Sequence, residues 1–370
     1  MILFRVETPS QLINAMTMKY YLPDETADIA LSAASDFSPF VEGLQQTKLF
    51  ENIYLSEDNP VQNLEIVERL KADPKLVKES GELLSRCGYE DKAYTDLYVF
   101  ALAMVYNHLL YYHMVAKHGA LRIHLVEEGT SSYTLSLQEI ADWAEMEMQY
   151  RKYFPQKTWL ENNLTSVWLY QPELNVAFAE DKVQKIPAMD DPKLLKMLQK
   201  VFGTPSLPKQ KYIFFAEPTI EECVNSCSIE ILNTIAERVG KENMIVKPHP
   251  RMDSFLFSAA GYSVQGEKQL PWEIYAFDAA VQEKILLTMS SSSIFTSKLR
   301  NEHLRINAIY LQYLEPFPGR FHTIQKNYEK FMKLVDGVFN AEERNLFLPR
   351  SHDQLIMALD YFDGRMEYDK

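Results

Sequence analysis

Cysteine is scarce in this sequence, and the few cysteines form no metal-binding pattern. The 370 residues contain three of them, Cys87, Cys223 and Cys227, with no CxxC pair and no histidine at a metal-ligand spacing. A structural zinc site takes four such ligands, so we expect none. Cys223 and Cys227 are four residues apart on a predicted helix and could share a face, and we interpret them as two small buried thiols in a reducing compartment.

Positive charge and long hydrophobic runs are also lacking. The formal net charge is -13 and no window concentrates Lys and Arg, which argues against a nucleic-acid partner and against attraction to an anionic membrane. The first apolar run, Ile2 to Val6, is too short for a secretion signal. The longest, Tyr98 to Val115, contains two histidines and predicts a buried helix instead of a membrane span. We therefore expect a cytoplasmic protein, with any membrane contact local and peripheral at the inner face of the plasma membrane.

Apolar strands alternate with amphipathic helices along the whole chain. The composition, with 46% hydrophobic and 24% charged residues, is globular, and 370 residues exceed the usual size of one core. The alternation predicts an α/β fold with parallel sheets. Strands are predicted at Ile2 to Val6, Ala27 to Ser32, Leu121 to Val126, Tyr212 to Ala216, Met244 to Val246, Ile285 to Thr288 and, as the last, Ile306 to Leu311, with a long helix from Tyr94 to His118.

A polar, proline-bearing stretch between about residues 180 and 211 divides the chain. We predict an N-terminal Rossmann-like domain over residues 1–190 and a C-terminal Rossmann-like domain over residues 191–350. A final helix in residues 351–370 would cross back to the first domain. Two such domains offer a central cleft for ligands.

Carboxylates follow two of the predicted strands. Glu127 and Glu128 stand directly before Gly129 at the carboxyl end of one strand, and Glu217 follows another beside Pro218. Open α/β sheets bind their ligands at this end. One of these carboxylates is predicted to act as general base, although paired glutamates before a glycine are also common in solvated turns.

Cationic and hydroxyl side chains follow two further strands. Lys247 and His249 flank a proline, which fixes the backbone, and His249 is a candidate general acid for a departing phosphate. The run Ser290 to Ser293 opens a helix, where free N–H groups and hydroxyls suit a phosphate. A turn histidine and a simple N-cap are the alternative interpretations of these two segments.

Taken in order, these segments resemble the three signatures of bacterial sialyltransferases: an acidic pair with glycine, a His-Pro motif and a serine motif. The likeness is strongest to glycosyltransferase family 52, the lipooligosaccharide sialyltransferases. It is carried by Thr8-Pro9-Ser10-Gln11-Leu12, Glu127-Glu128-Gly129, Lys247-Pro248-His249-Pro250-Arg251, Glu273-Ile274-Tyr275 and Ser291-Ser292.

The resemblance implies a GT-B fold and an inverting transfer of sialic acid from CMP-sialic acid to a galactose-terminated glycan, such as lipooligosaccharide or capsule. It implies that His249 is the general acid and that Lys247 and Glu273 contact the cytidine, with Glu273 on the ribose. The donor site would also include Pro250, Ser291 and Ser292, the serines holding the phosphate. The base stays open between Glu127 or Glu128, which we favour, and Glu217.

We expect no cofactor and no metal ion, because the donor is itself the substrate and its leaving group carries a single phosphate that the cations and serines can neutralise. Two alternatives remain open. One is another CMP-sugar transferase, a polysialyltransferase or a Kdo transferase, and the other is a nucleotide-binding protein without turnover. The acceptor, the linkage and the formation of a homodimer are also open at this stage.

Overall fold

The structure is a computed structural model, and it describes residues 1–58, 60–84, 87–137, 139, 151–216, 223–249, 252–266, 270–314 and 326–365. The chain divides into two compact units, Met1–Gly203 and Thr204–Lys370. Helix Pro192–Phe202 belongs to the first unit, because it packs on helix Ser38–Thr47, with the rings of Phe40 and Phe202 4.9 Å apart. The predicted division after residue 190 lies just before this helix.

The first unit is built on a parallel sheet of seven strands in the order β3-β2-β1-β4-β5-β6-β7. Strands β1 and β2 are buried along their whole length, as expected for a parallel sheet covered on both faces. The strands are β1 Ile2–Val6, β2 Ala27–Ser32, β3 Ile53–Ser56, β4 Asp96–Val99, β5 Arg122–Val126, β6 Leu164–Leu169 and β7 Val183–Lys185.

The helices of the first unit begin at recognisable signals. Thr8 caps the first helix by accepting a hydrogen bond from the Gln11 N–H, and Pro9 occupies the first turn, where a missing N–H costs nothing. The described α-helices are Pro9–Tyr20, Ser38–Thr47, Pro60–Ala72, Val105–His118, Ser131–Thr134 and Pro192–Phe202.

The second unit contains a parallel sheet of six strands in the order β10-β9-β8-β11-β12-β13. These are β8 Tyr212–Phe215, β9 Met244–Lys247, β10 Ser263–Val264, β11 Ile285–Thr288, β12 Asn307–Tyr310 and β13 Leu346–Phe347. Its described α-helices are Cys223–Val239, Phe255–Ala259, Trp272–Tyr275, Ser293–Arg300, Lys326–Phe339 and His352–Phe362. The predicted α/β class, with two Rossmann-like domains, is confirmed.

Two local predictions are wrong. The segment predicted as one helix from Tyr94 to His118 is β4 followed by helix Val105–His118, because β4 pairs with β1 on one side and with β5 on the other. The strand predicted to be the last is followed by β13, which pairs with β12.

The final helix, His352–Phe362, packs in the core of the second unit. Its residues Leu355, Ala358 and Leu359 are buried in one core cluster with helix Cys223–Val239 and the strands of that unit. Asp363, just beyond the helix, accepts a hydrogen bond from the Tyr212 hydroxyl at 2.6 Å. Within the described ranges, none of the helices combines the length and the apolar character that crossing a bilayer requires.

Candidate functional site

The second sheet reverses its winding direction between β8 and β11. From β8 the chain adds β9 and β10 on one side, and then returns to add β11, β12 and β13 on the other. In open α/β sheets, the crevice beyond the carboxyl ends of the strands at such a switch point binds ligands. The predicted donor-side residues follow β9 and β11, so the topology brings them to this edge.

The serine loop after β11 is held against the end of β8. The Thr288 hydroxyl donates to the Phe215 carbonyl at 3.1 Å and accepts from the Ser291 N–H at 3.0 Å. Ser292 is the N-cap of helix Ser293–Arg300, yet its side chain makes no capping hydrogen bond. The helix therefore begins at the switch point, with its positive dipole end and a partly exposed serine residue there.

Lys247 is the last residue of β9, next to β8 in the sheet. Its side chain is buried, its ammonium donates to the Leu270 carbonyl at 3.1 Å, and it lies 5.7 Å from the centroid of the Tyr275 ring. His249 follows two residues later and is partly exposed. One cation and one titratable imidazole therefore stand at the end of β9, one strand away from the serine loop's anchor on β8.

Glu273 belongs to a buried polar network beside this edge. Its Oε1 accepts from the Thr296 hydroxyl at 2.7 Å and lies 2.9 Å from a guanidinium nitrogen of Arg300. Both partners are on the helix that the serine loop opens, so Glu273 ties helix Trp272–Tyr275 to it. The cytidine contact predicted for Glu273 stays a prediction.

The acidic pair follows β5 in the first unit, and its two members differ in their surroundings. Glu127 is 0% exposed; its Oε2 accepts from the Tyr133 hydroxyl and from the Tyr170 N–H, the latter at 2.9 Å. Burial, together with this carboxylate, raises the pKa of Tyr133 well above its usual value. Glu127 thus joins the ends of β5 and β6 and the helix after β5.

Glu128 is partly exposed and faces the start of the first helix. Its Oε1 accepts from the Gln11 side-chain amide at 2.6 Å, and its own N–H donates to the Ser132 hydroxyl at 2.9 Å. Gln11 also accepts from the Glu7 N–H at 2.6 Å. The segment Thr8 to Leu12, one of the segments that resemble family 52, therefore places the side-chain amide of Gln11 against Glu128.

Glu7 is a carboxylate that sequence reasoning missed. It follows β1, and the first sheet reverses its winding direction between β1 and β4. Asn107, on the helix that follows β4, donates to the Glu7 Oε1 at 3.4 Å. Burial raises the pKa of Glu7 to about 7, opposed by the Arg5 guanidinium and reinforced by the Glu128 carboxylate. The available signal was the position of Glu7 directly after the apolar run of β1.

Two predicted site residues, Glu217 and Pro250, lie outside the described residues. Among the side chains that the structure does describe, no three of His, Cys, Asp or Glu are grouped so as to hold a metal ion.

No family model matches the chain, and no curated protein matches it. Solved structures with a similar course of the chain include the UDP-GlcNAc 2-epimerase of Neisseria meningitidis bound to UDP-GlcNAc, at 10% identity and a TM-score of 0.48, covering 99% of this chain and 94% of that one. The wall teichoic acid polymerase TagF gives 12% identity and a TM-score of 0.41, with coverages of 98% and 82%. A glycosyl transferase of family 9 from Veillonella parvula gives 9% and 0.36, with coverages of 98% and 96%. Similarity at this level does not indicate a shared activity.

Proposed function

We propose that this protein is an inverting sialyltransferase that uses CMP-sialic acid as donor and a galactose-terminated glycan, such as lipooligosaccharide or capsule, as acceptor. The observation that carries the proposal is the edge of the second sheet, where a helix N-terminus with its serines, a lysine and a histidine follow β11 and β9 at a switch point. The order of the signature segments along the chain supports the choice of donor.

The donor side would work through departure of CMP. The bond between the anomeric carbon and the phosphate oxygen breaks, and its electron pair goes to the phosphate. His249 gives that oxygen a proton, while Lys247 and the helix N-terminus behind Ser291 and Ser292 stabilise the charge that remains. A single phosphate needs no metal ion for this, so we propose a metal-independent reaction. Glu273, with Lys247, would hold the cytidine.

On the acceptor side, a carboxylate removes the proton of the attacking hydroxyl. Of the acidic pair, the surroundings favour Glu128 for a contact with substrate, because Glu127 is fully buried and its carboxylate binds Tyr133 and Tyr170. Glu127 would then fix the end of β5 without contacting the acceptor. Glu217 stays as the second candidate.

Nucleotide preference tests this proposal on the full chain by isothermal titration. We expect CMP and CMP-sialic acid to bind, and UDP and UDP-GlcNAc to bind at least tenfold more weakly, which corresponds to about 1.4 kcal/mol. Tighter binding of the uridine nucleotides would contradict the proposed donor. Tight CMP binding without transfer to any glycan would instead favour the nucleotide-binding alternative.

A further inference from the structure

A second set of polar residues stands at the switch point of the first sheet, and the motifs discussed so far do not use it. Glu7 follows β1 and Asn107 lies on the helix that follows β4, on either side of the place where the winding direction reverses. The rule that places the donor at the switch point of the second sheet applies equally here.

The backbone and side chain of Glu7 are held from three sides. Gln11 accepts from its N–H at 2.6 Å, the Ser35 hydroxyl donates to its carbonyl at 2.8 Å, and Asn107 donates to its Oε1 at 3.4 Å. Gln11 also donates to Glu128, so one side-chain amide links the backbone of Glu7 to the Glu128 carboxylate. Two of these hydrogen bonds hold the backbone of Glu7 and the third orients its carboxylate, as a proton acceptor requires.

The cation nearest in sequence is committed elsewhere. Arg5, two residues before Glu7, is buried in an ion pair with Asp58, which also accepts from the Ser32 hydroxyl. No ion pair of Glu7 with a lysine, arginine or histidine occurs in the part of the chain that the structure describes. A carboxylate without a paired cation keeps its affinity for a proton.

Asn107 supplies an independent sign of a ligand. Its side chain is 1% exposed and its Nδ2 serves Glu7 and the Ala101 carbonyl, whereas its Oδ1 has no hydrogen-bond partner among the described residues. A buried amide oxygen without a donor is costly. A hydroxyl of a bound sugar is a donor of the kind it lacks.

From this geometry we infer that Glu7, in place of Glu128, is the general base of the reaction and takes the proton of the acceptor hydroxyl, with Glu128 and Asn107 as positioning residues. The inference rests on the proposed function. The hydroxyl proton passes to the Glu7 carboxylate as the oxygen forms its bond to the anomeric carbon, and the electron pair of the breaking bond leaves with the phosphate.

The charges around Glu7 match this role. Its pKa is raised to about 7 as the net result of burial, which raises it most, of Arg5 and the Asn107 hydrogen bond, which lower it, and of the Glu128 and Asp58 carboxylates, which raise it. A general base works best with a pKa near the working pH. Because Glu128 raises the pKa of Glu7 and Asn107 lowers it, replacing each of them in turn tests the assignment.

The test is a pH profile of sialic acid transfer by the full chain. Glu7→Gln should lower kcat by a factor on the order of 10² to 10⁴ with unchanged CMP affinity, whereas Glu65→Gln, the same change on an exposed helix face, should behave as wild type. The acidic limb of the wild-type profile should move to lower pH in Glu128→Gln and to higher pH in Asn107→Ala.

Each outcome of these measurements either supports or overturns the assignment of Glu7 as general base. Full activity of folded Glu7→Gln, or loss of transfer in Glu128→Gln with little change in Glu7→Gln, overturns the assignment and leaves the proposed function standing. If Glu7→Gln does not fold, the opposite shifts in Glu128→Gln and Asn107→Ala decide, and absence of either shift overturns it. No transfer by wild-type protein that binds CMP overturns the proposed function, and with it this assignment.

Discussion

Because the pKa of Glu7 is higher in the folded state than in the unfolded chain, this residue makes the folded state less stable as the pH rises. The native state keeps a proton on Glu7 up to about pH 7, whereas the unfolded chain releases it near 4.5. The folded state binds more protons in this window, so the free energy of unfolding decreases as pH rises through it, by at most about 3 kcal/mol.

We therefore expect urea unfolding of the wild type to require less denaturant at pH 8 than at pH 5, and expect Glu7→Gln to lose most of that difference. The exposed Glu65→Gln change serves as control. An unchanged pH dependence in Glu7→Gln would mean that Glu7 is ionised throughout this range.

On the donor side, the proposed mechanism depends on the imidazole of His249. His249→Ala should lower kcat by a factor on the order of 10² to 10⁴, because the departing phosphate loses its proton donor. Steady-state kinetics with CMP-sialic acid measures this. His303→Ala, at an exposed position of the same unit, is the matched control. A near wild-type rate in folded His249→Ala protein would remove the imidazole from the mechanism.

Helix Ser293–Arg300, which follows β11, is proposed to bind the phosphate through its N-terminus and the serines that precede it. Replacing Ser291 and Ser292 together by alanine should weaken CMP binding about tenfold or more, since hydrogen bonds to a charged phosphate are lost. Calorimetry with CMP measures the change, and Ser206→Ala, exposed in the same unit, is the control. If the double mutant binds CMP as tightly as the wild type, the two serines serve only to cap the helix.

A helix pair in the first unit depends on one glycine. A Cβ at Gly43 would lie 2.7 Å from the Lys200 carbonyl oxygen and 2.8 Å from the Val201 Cα, so helices Ser38–Thr47 and Pro192–Phe202 could not keep their distance. Gly43→Ala should destabilise the unit by about 1–3 kcal/mol in urea unfolding. Gly337→Ala, with nothing within 4 Å, should stabilise its helix by about 0.5–1 kcal/mol. The same sign in both would contradict this packing.

Elements with a clear local signal were predictable from the sequence. Strand β11 was predicted at its observed bounds, and the helix start at Ser351 follows from its cap. Strand β4, Asp96–Val99, was predicted as helix because a short apolar run fits a buried helix as well as a strand, and only pairing with β1 and β5 decides. Glu7 was missed for a related reason: its raised pKa comes from burial and from Glu128, which is distant in sequence.

At the scale of the whole molecule, the two sheets repeat one topology. Leaving out β7, both follow the Rossmann order, with two strands on one side of the first strand and three on the other. Each unit therefore has its own switch point, with Glu7 at one and the serine loop beside the other. The alternation of strands and helices predicted the class, but strand order depends on long-range pairing that no local pattern encodes.

Sialic acid transfer is tested by incubating the full chain with CMP-sialic acid and a panel of galactose-terminated acceptors, with and without EDTA, and identifying the products by mass spectrometry. We expect a sialylated product and free CMP, in equal amounts with and without EDTA, and product formation slower by a factor on the order of 10² to 10⁴ with His249→Ala. Transfer only from a different nucleotide sugar, or no sialylated product from wild-type protein that binds CMP, would contradict the proposed function.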